Sequence, residues 1–176
     1  MSEKPPATFE PVTVAVMTVS DTRTPANDTS GDELANSLAA AGHRLADRKI
    51  VKDDIYQIRA VLSAWIADPG IDAVITTGGT GFSGRDSTPE AVAPLFDKHI
   101  HGFGELFRSV SYQEIGSSTI QSRALAGLAN NTVIFCVPGS TNACKTAWEK
   151  IIREQLDSRH KPCNFVGVLH HRKHDH

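Results

Sequence analysis

Residues 72–91 read DAVITTGGTGFSGRDSTPEA and carry the clearest indication of the fold. Its apolar start indicates a strand from Asp72 to Thr76, which leads into a glycine-rich loop. Thr88 and Pro89 then suit the N-cap and the first turn of a helix, which we expect to run from Glu90 to His99. A strand, a glycine-rich loop and a helix in this order are typical of an α/β protein that binds its ligand at the end of the strand.

The glycines of this loop favour an anion site. Gly78, Gly79 and Gly81 can adopt positive φ and leave backbone N–H groups free of side chains, which is how such loops cradle phosphate oxygens. Asp86 would repel phosphate unless it held a cation such as Mg²⁺, so the loop predicts phosphoryl or nucleotidyl chemistry. The alternative is a tight turn that only connects strand and helix, but the density of glycine, threonine and charge exceeds what a connector needs.

The bulk composition excludes several classes of protein. The chain has 176 residues, with 18 Lys and Arg against 20 Asp and Glu, and this net charge of −2 argues against nucleic acid or an anionic membrane as a partner. It contains no run of about 18 apolar residues, so no membrane span is expected. Its three cysteines form no CxxC pair and its start has no signal-peptide pattern, which together favour reduced thiols and a cytoplasmic location.

We expect one domain, with strands and helices that alternate along the chain. The predicted boundaries are a flexible N-terminal arm at 1–11, a single domain at 12–168 and a flexible His-rich tail at 169–176, where loose metal binding is the less favoured alternative. Ser30 and Glu33 have capping-box spacing at a helix start. The other predicted elements are strands from Val12 to Val19, His43 to Val51 and Thr132 to Val137, an edge strand from Ser122 to Leu128, and helices starting at Asp53-Asp54, at Leu106 after a break at Gly102 to Glu105, and at Ala143.

The alternation indicates an open sheet with helices on both faces, and such sheets bind ligands at the carboxyl ends of their strands. Four polar segments directly follow predicted strands and should therefore converge on one edge of the sheet. These segments are Ser20-Asp21, Lys52-Asp53, Thr77 to Asp86 and Pro138 to Asn142.

Two acids in these segments carry the predicted chemistry. Asp53 and Asp86 could share a divalent cation that neutralises phosphate oxygens, although capping of the following helix is an equally weighted role for Asp53. The turn at Pro138-Gly139-Ser140 could present N–H groups and a hydroxyl to an anion, or could be only a turn. Structural roles are favoured for Asp21 and Asp28.

The same residues carry a family resemblance. The chain is similar, over about residues 12 to 157, to the MoaB/MogA family of molybdenum cofactor biosynthesis, and the segment from Ser140 to Trp148 resembles the MoaB branch more than the MogA branch. The motifs that carry the resemblance are Thr18-Val19-Ser20-Asp21, Ser30-Gly31, Val51-Lys52-Asp53-Asp54, Thr76-Thr77-Gly78-Gly79-Thr80-Gly81, Arg85-Asp86-Ser87-Thr88-Pro89-Glu90-Ala91, Gly102-Phe103-Gly104-Glu105 and Pro138-Gly139-Ser140.

The resemblance implies both architecture and chemistry. The implied fold is a three-layer α/β/α sandwich with a mostly parallel open sheet, assembled as a homotrimer or homohexamer. The implied activity is that of a molybdopterin adenylyltransferase, which binds molybdopterin and transfers AMP from Mg-ATP to its terminal phosphate with release of pyrophosphate. Mg²⁺ is then the expected cofactor, ATP the co-substrate, and other molybdenum cofactor biosynthesis proteins are further candidate partners.

The resemblance also implies the site residues. The family's two functional aspartates match Asp53 and Asp86, which are the expected catalytic and Mg²⁺-holding groups. The glycine loop matches the family's anion-binding loop, and Pro138-Gly139-Ser140 matches its pterin-side turn. The expected molybdopterin- and nucleotide-binding residues are Ser20, Asp21, Thr77, Gly78, Gly79, Thr80, Gly81, Ser87, Pro138, Gly139 and Ser140.

A second function stays open beside transfer. Lys52 stands where active MogA-like members often have Pro, and some bacterial MoaB proteins lack the transferase activity. A non-catalytic protein that binds and delivers molybdopterin or its precursor would use the same loop. A scaffold with a decayed site is disfavoured, because Asp53 and Asp86 are both intact although neighbouring acids destabilise each other.

Overall fold

One six-stranded sheet organises the residues that the computed structural model describes, 8–169. The strands in chain order are β1 Thr13–Val19, β2 Arg44–Val51, β3 Ala73–Thr77, β4 Lys98–His99, β5 Leu125–Ala129 and β6 Thr132–Val137. Their spatial order is β2-β1-β3-β6-β5-β4. The pairs among β2, β1, β3 and β6 are parallel, whereas β5 and β4 are added antiparallel. The predicted mostly parallel open sheet is confirmed.

Helices cover both faces of this sheet. They are α1 Thr29–Ala40, α2 Ile55–Ala67, α3 Thr88–Val92, α4 His101–Ile115, α5 Thr141–Ala147 and α6 Arg153–Gln155, with a π-helical turn at Trp148–Ile152 and 3₁₀ turns at Ala93–Leu95 and Gly116–Gln121. Alternate residues of β1 face opposite sides, so Val14 and Val16 pack with α1, α4 and α5, while Ala15 and Met17 pack with α2 and α3. One apolar cluster lies on each face of the sheet, between the sheet and its helices, and this gives the expected three layers.

The start of α1 differs from the predicted capping box. Asp28, not Ser30, is the N-cap residue, and its Oδ1 accepts the Gly31 N–H at 3.1 Å. Asp28 is fully buried, and its Oδ2 also accepts the Thr18 hydroxyl at 2.8 Å and pairs with Arg48 at 3.0 Å. A carboxylate fixed from three elements is a stronger acceptor than a hydroxyl. Ser30 is thereby released to donate to the Gly139 carbonyl at 2.9 Å.

The helix after the glycine loop is shorter than predicted, and its lost residues form a strand. It ends at Val92, where a 3₁₀ turn begins, because Pro94 has no N–H with which to continue the α-helical hydrogen bonds. Lys98–His99 then pairs with Leu128 and Gly127, so the predicted edge strand is an inner strand, β5. Thr88 lies inside α3 rather than at its N-cap, which is Ser87.

The predicted break at Gly102 to Glu105 is also wrong, since α4 runs through it. Gly104 faces the chain just before β5, and a Cβ there would lie 2.7 Å from the Ala124 carbonyl oxygen. That glycine therefore serves close packing between the helix and the sheet rather than chain interruption. A two-residue turn joins β5 and β6, and Asn130 and Asn131 both have positive φ, as such a hairpin turn requires.

The predicted arm and tail fall largely outside the described residues, at 1–7 and 170–176. The domain boundaries therefore stay predictions. At the limits of the described part, the Phe9 ring lies 5.2 Å from the His43 ring, and Leu169 is buried in the core. Within residues 8–169 no helix combines the length and the apolar character that crossing a bilayer requires.

The buried Asp28 carboxylate gives a test of the fold. Asp28→Ala should lower the free energy of unfolding by about 3 kcal/mol, because it removes a helix cap and leaves Arg48 and the Thr18 hydroxyl without a buried acceptor. The matched control is Asp32→Ala, which removes the other, half-exposed partner of Arg48 and should cost less than about 1 kcal/mol. Urea unfolding measures both. Equal losses would show that the buried network does not anchor α1.

Candidate functional site

Loops from the carboxyl ends of β1, β2, β3 and β6 meet at one edge of the sheet. The Ser20 N–H donates to the Val51 carbonyl at 2.9 Å, which joins the ends of β1 and β2. The Gly78 N–H donates to the Val137 carbonyl at 3.0 Å, which joins the ends of β3 and β6. The convergence predicted from the order of elements is confirmed.

The glycine loop has the backbone conformation that its sequence predicts at two positions. Gly78 and Gly79 have φ of 101° and 71°, a region that side chains disfavour. A Cβ on Gly78 would lie 2.2 Å from the Val19 carbonyl oxygen. Gly81 does not have positive φ, and its role is clearance, since a Cβ there would lie 2.7 Å from Asp86 Oδ2.

The two neighbouring acids after β2 have different partners. Asp54 is the N-cap of α2, and its Oδ1 accepts the Tyr56 and Gln57 N–H groups at 2.9 Å each. Asp53 is buried and reaches the glycine loop instead, where its Oδ1 accepts the N–H and hydroxyl of Ser87 at 3.1 and 2.7 Å. The capping alternative for Asp53 is therefore wrong, because Asp54 fills that role.

Asp86 closes the far side of the same loop. Its Oδ2 accepts the Ser83 N–H at 3.0 Å, and its own N–H donates to the Ser83 carbonyl at 3.0 Å. Asp86 lines a cavity in front of the loop, whereas Asp53 is not among the lining residues and bonds to Ser87, the residue next to Asp86. The structure thus brings both acids to one short segment, but only Asp86 to the cavity wall.

A cavity of about 420 Å³ lies in front of the glycine loop and has three walls. The first wall is Gly79 to Gly81 with Asp86, and the second is the turn Pro138 to Ser140. The third wall was missed by sequence reasoning and comes from α4 and the segment after it: Phe107, Ser111, Ile115, Ser118, Gln121 and Ser122. One sequence signal was available for this wall: the helical spacing of Ser111 places it on the same face as Phe103 and Phe107. In the structure Ser111 is buried on that face, although it is polar.

Of three further predicted binding residues, Thr77 and Ser20 do not line the cavity, whereas Ser140 does. The Thr77 hydroxyl is buried and donates to the Pro138 carbonyl at 2.8 Å. Ser20 Oγ accepts the N–H groups of Thr22 and Arg23, at 3.2 and 3.0 Å. Ser140 caps α5 by accepting the Ala143 N–H at 3.0 Å, and it also lines the cavity.

Asp21 forms an ion pair across the mouth of the site. Its two carboxylate oxygens accept from Arg85 at 2.9 and 3.0 Å, and Oδ1 also accepts the Asp53 N–H at 3.2 Å. The Arg85 guanidinium holds the pKa of Asp21 below its usual value. The pair is exposed, so its contribution to stability is small.

A buried cysteine lies beneath the second wall. Cys144 Sγ donates to the Thr77 hydroxyl at 3.1 Å, and burial raises the pKa of Cys144 to about 11. The side chain is therefore a neutral thiol near pH 7. It packs the turn and does not offer a thiolate nucleophile.

The acids fit a cation that brings part of its own coordination. No group of three or more His, Cys, Asp or Glu side chains in residues 8–169 is arranged to hold a metal ion. Mg²⁺ is commonly held by one or two carboxylates together with substrate phosphates and water, which suits Asp86 on the cavity wall. Asp53 is not among the lining residues and meets the same segment at Ser87.

Three cavities of similar size lie elsewhere in residues 8–169. One of about 480 Å³ lies beside His43, at the opposite end of the strands, one of about 510 Å³ lies between Arg23 and Arg48, and one of about 420 Å³ lies beside Ser158. None of the three is lined by the glycine loop or by the 138–140 turn. The cavity at the strand ends is the one that joins a backbone anion cradle to an acid.

Comparisons with known proteins agree on one family. A family model described as "Probable molybdopterin binding domain" matches residues 15–158. The chain is 55% identical over 157 residues to Molybdenum cofactor biosynthesis protein B of Escherichia coli (strain K12), covering 89% of this chain and 92% of that protein.

Solved structures give the same result. A crystal structure of Molybdenum cofactor biosynthesis protein B matches with a TM-score of 0.84 at 40% identity, over 97% of this chain and 99% of that chain. The tungsten cofactor synthesizing protein MoaB from Pyrococcus furiosus matches with a TM-score of 0.78 at 36% identity, over 93% and 98% of the two chains.

The role of the glycine loop conformation can be tested by adding a single methyl group. Gly79→Ala should lower the free energy of unfolding by about 1–3 kcal/mol, because the residue has positive φ and its Cβ would lie 2.3 Å from Thr88 Oγ1. Titration with inorganic pyrophosphate should show weaker binding than in the unchanged protein. Gly84→Ala is the control, since a Cβ there meets nothing within 4 Å. Similar effects of both changes would mean that the loop conformation does not form the anion site.

Proposed function

The chain belongs to the MoaB/MogA family of molybdenum cofactor biosynthesis proteins and has a role in that biosynthesis, and from this premise we propose that it binds molybdopterin and transfers AMP from Mg-ATP to the terminal phosphate of molybdopterin. The observation that carries the proposal is the loop with positive φ at Gly78 and Gly79, which faces a cavity of about 420 Å³ beside Asp86. A backbone cradle and an acid at one cavity suit a phosphate and its cation.

The proposed reaction needs no covalent intermediate with the protein. An oxygen of the molybdopterin terminal phosphate attacks the α-phosphorus of ATP, the bond from that phosphorus to the bridging oxygen breaks, and pyrophosphate leaves with the electron pair. The backbone N–H groups of Gly79 to Gly81 bind phosphate oxygens at the cavity wall and stabilise charge that develops on them. Positioning of the two substrates and this electrostatic stabilisation are sufficient for such transfers.

The acids have separate tasks in this proposal. Asp86 and Asp53 would hold Mg²⁺, which neutralises phosphate charge when bound. Asp53 also fixes the segment that carries Asp86, through its bonds to Ser87. Pro138 to Ser140, with the wall from α4, would receive the pterin side of the ligand.

One observation favours the alternative of binding and delivery without transfer. Asp53 is buried, and one of its oxygens already accepts two hydrogen bonds from Ser87, which restricts how it can approach a metal ion. A protein with this arrangement could still bind molybdopterin through the glycine loop and the 138–140 turn. The location proposed for either function is the cytoplasm, and the proposed partners include other proteins of the same biosynthesis.

Incubation with molybdopterin, ATP and Mg²⁺ separates these functions. Transfer predicts release of pyrophosphate and formation of adenylylated pterin. Asp86→Asn should lower the rate by roughly a hundredfold or more at limiting Mg²⁺ while the fold is retained, because a neutral amide holds Mg²⁺ poorly. Asp32→Asn, a change of a half-exposed acid on α1, is the control and should leave the rate unchanged. Pterin binding without any transfer would support delivery, and absence of pterin binding would contradict both functions.

We also propose a homotrimer or a homohexamer. Phe103 and Phe107 of α4 pack into the protein's own core. Four apolar side chains nevertheless remain exposed on α4 and the turn after it: Leu106, Tyr112, Ile115 and Ile120. Light scattering after size exclusion should give a mass of about 57 or about 114 kDa, for three or six copies of a 19.0 kDa chain. A monomer at micromolar concentration would contradict the proposal.

A further inference from the structure

Arg123 contacts the glycine loop at both of its ends. It lies between the Gly116–Gln121 turn and β5, far from the loop in sequence. Its backbone N–H donates to the Thr80 carbonyl at 3.0 Å, and its Nε donates to the Gly81 carbonyl at 3.0 Å. Its Nη2 donates to the Asp86 carbonyl at 3.2 Å. One residue therefore spans the segment that ends in the candidate Mg²⁺-holding acid.

The Arg123 guanidinium is itself fixed from two further directions. Its Nη1 forms an ion pair with Glu90 of α3, and this pairing holds the pKa of Glu90 below its usual value. Its Cζ lies 5.0 Å from the centre of the Phe82 ring, a cation–π contact with the exposed tip of the loop. The side chain is three-quarters buried, so the guanidinium is held in one orientation.

The rest of the loop has few anchors of its own. The bonds between Ser83 and Asp86 are internal to the loop, and Gly84 would meet nothing within 4 Å even with a Cβ. Within residues 8–169, the tip of the loop also contacts another element through the ion pair of Arg85 with Asp21. That pair is exposed and contributes little to stability. Asp53 holds the adjoining Ser87, and the guanidinium of Arg123 supplies the shielded, charge-assisted bonds to Gly81 and Asp86 themselves.

We infer that Arg123 is a positioning residue that holds the Gly81 to Asp86 segment so that the Asp86 carboxylate faces the cavity. Arg123 directly follows Gln121 and Ser122, which line the third wall of the cavity, so it also sets the distance between the first and third walls. The planar guanidinium reaches two carbonyls and a carboxylate at once, which a lysine ammonium on a flexible stem does not reproduce. The consequence for catalysis rests on the proposed transfer function, whereas the fixation of the loop does not.

Amide hydrogen exchange of the Gly81 to Asp86 segment tests the fixation directly. Arg123→Ala and Arg123→Lys should both speed exchange of the loop amides roughly tenfold or more, because each loses bonds to the Gly81 and Asp86 carbonyls. Glu90→Gln is the control, since it removes the ion pair and keeps the bonds from Arg123 to the loop. Unchanged loop exchange in both Arg123 variants, with urea unfolding showing that they are folded, would overturn the inference.

Kinetics then test the positioning of Asp86. In Arg123→Lys the kcat for AMP transfer should fall roughly tenfold or more, with KM for ATP changed less than about threefold, because the acid is displaced while the substrate site persists. Adding Arg123→Lys to Asp86→Asn should cause little further loss, since both changes remove one function. Faster amide exchange in the loop together with an unchanged kcat would refute the positioning role of Arg123. Absence of transfer in the unchanged protein would refute the proposed function, and hydrogen exchange would still decide whether Arg123 holds the loop.

Discussion

The close approach of Gly78 to the Val19 carbonyl oxygen is the constraint on which the site depends. A Cβ at Gly78 would lie 2.2 Å from that oxygen, so the loop after β3 can cross the end of β1 only where a side chain is missing. The Gly139 position is also tight, although less so, since a Cβ there would lie 3.2 Å from the Gly78 Cα. Because these backbones pack without side chains between them, three strand ends share one edge and leave a cavity in front of it.

Acidic residues take different roles in this fold because their partners differ. Asp28 is buried against Arg48 and caps α1, and Asp54 caps α2. Asp53, the adjacent residue, turns away from α2 and binds Ser87 of the glycine loop. Asp86 keeps a place on the cavity wall, where its charge can act on a ligand. Charge alone does not separate these roles, and the neighbouring donors do.

The first and third walls of the cavity come from distant parts of the chain. The glycine loop follows β3, whereas the opposite wall belongs to α4 and the turn after it. Arg123 connects them, since it follows the third wall and donates to carbonyls of the first. The proposed transfer needs such a connection, because a phosphate site is useful only at a fixed distance from the rest of its ligand.

The mostly parallel sheet, its alternation with helices, the conformation of Gly78 and Gly79, and the family were predictable from sequence, because buried strands, glycines at positive φ and ordered motifs are local patterns. The sequence left Asp53 with capping as an equal alternative, and it indicated Ser30 as the cap of α1, where the structure has Asp28. The third wall and Arg123 were also beyond it. Those choices depend on which donors packing brings within hydrogen-bond distance, and only the tertiary structure sets that.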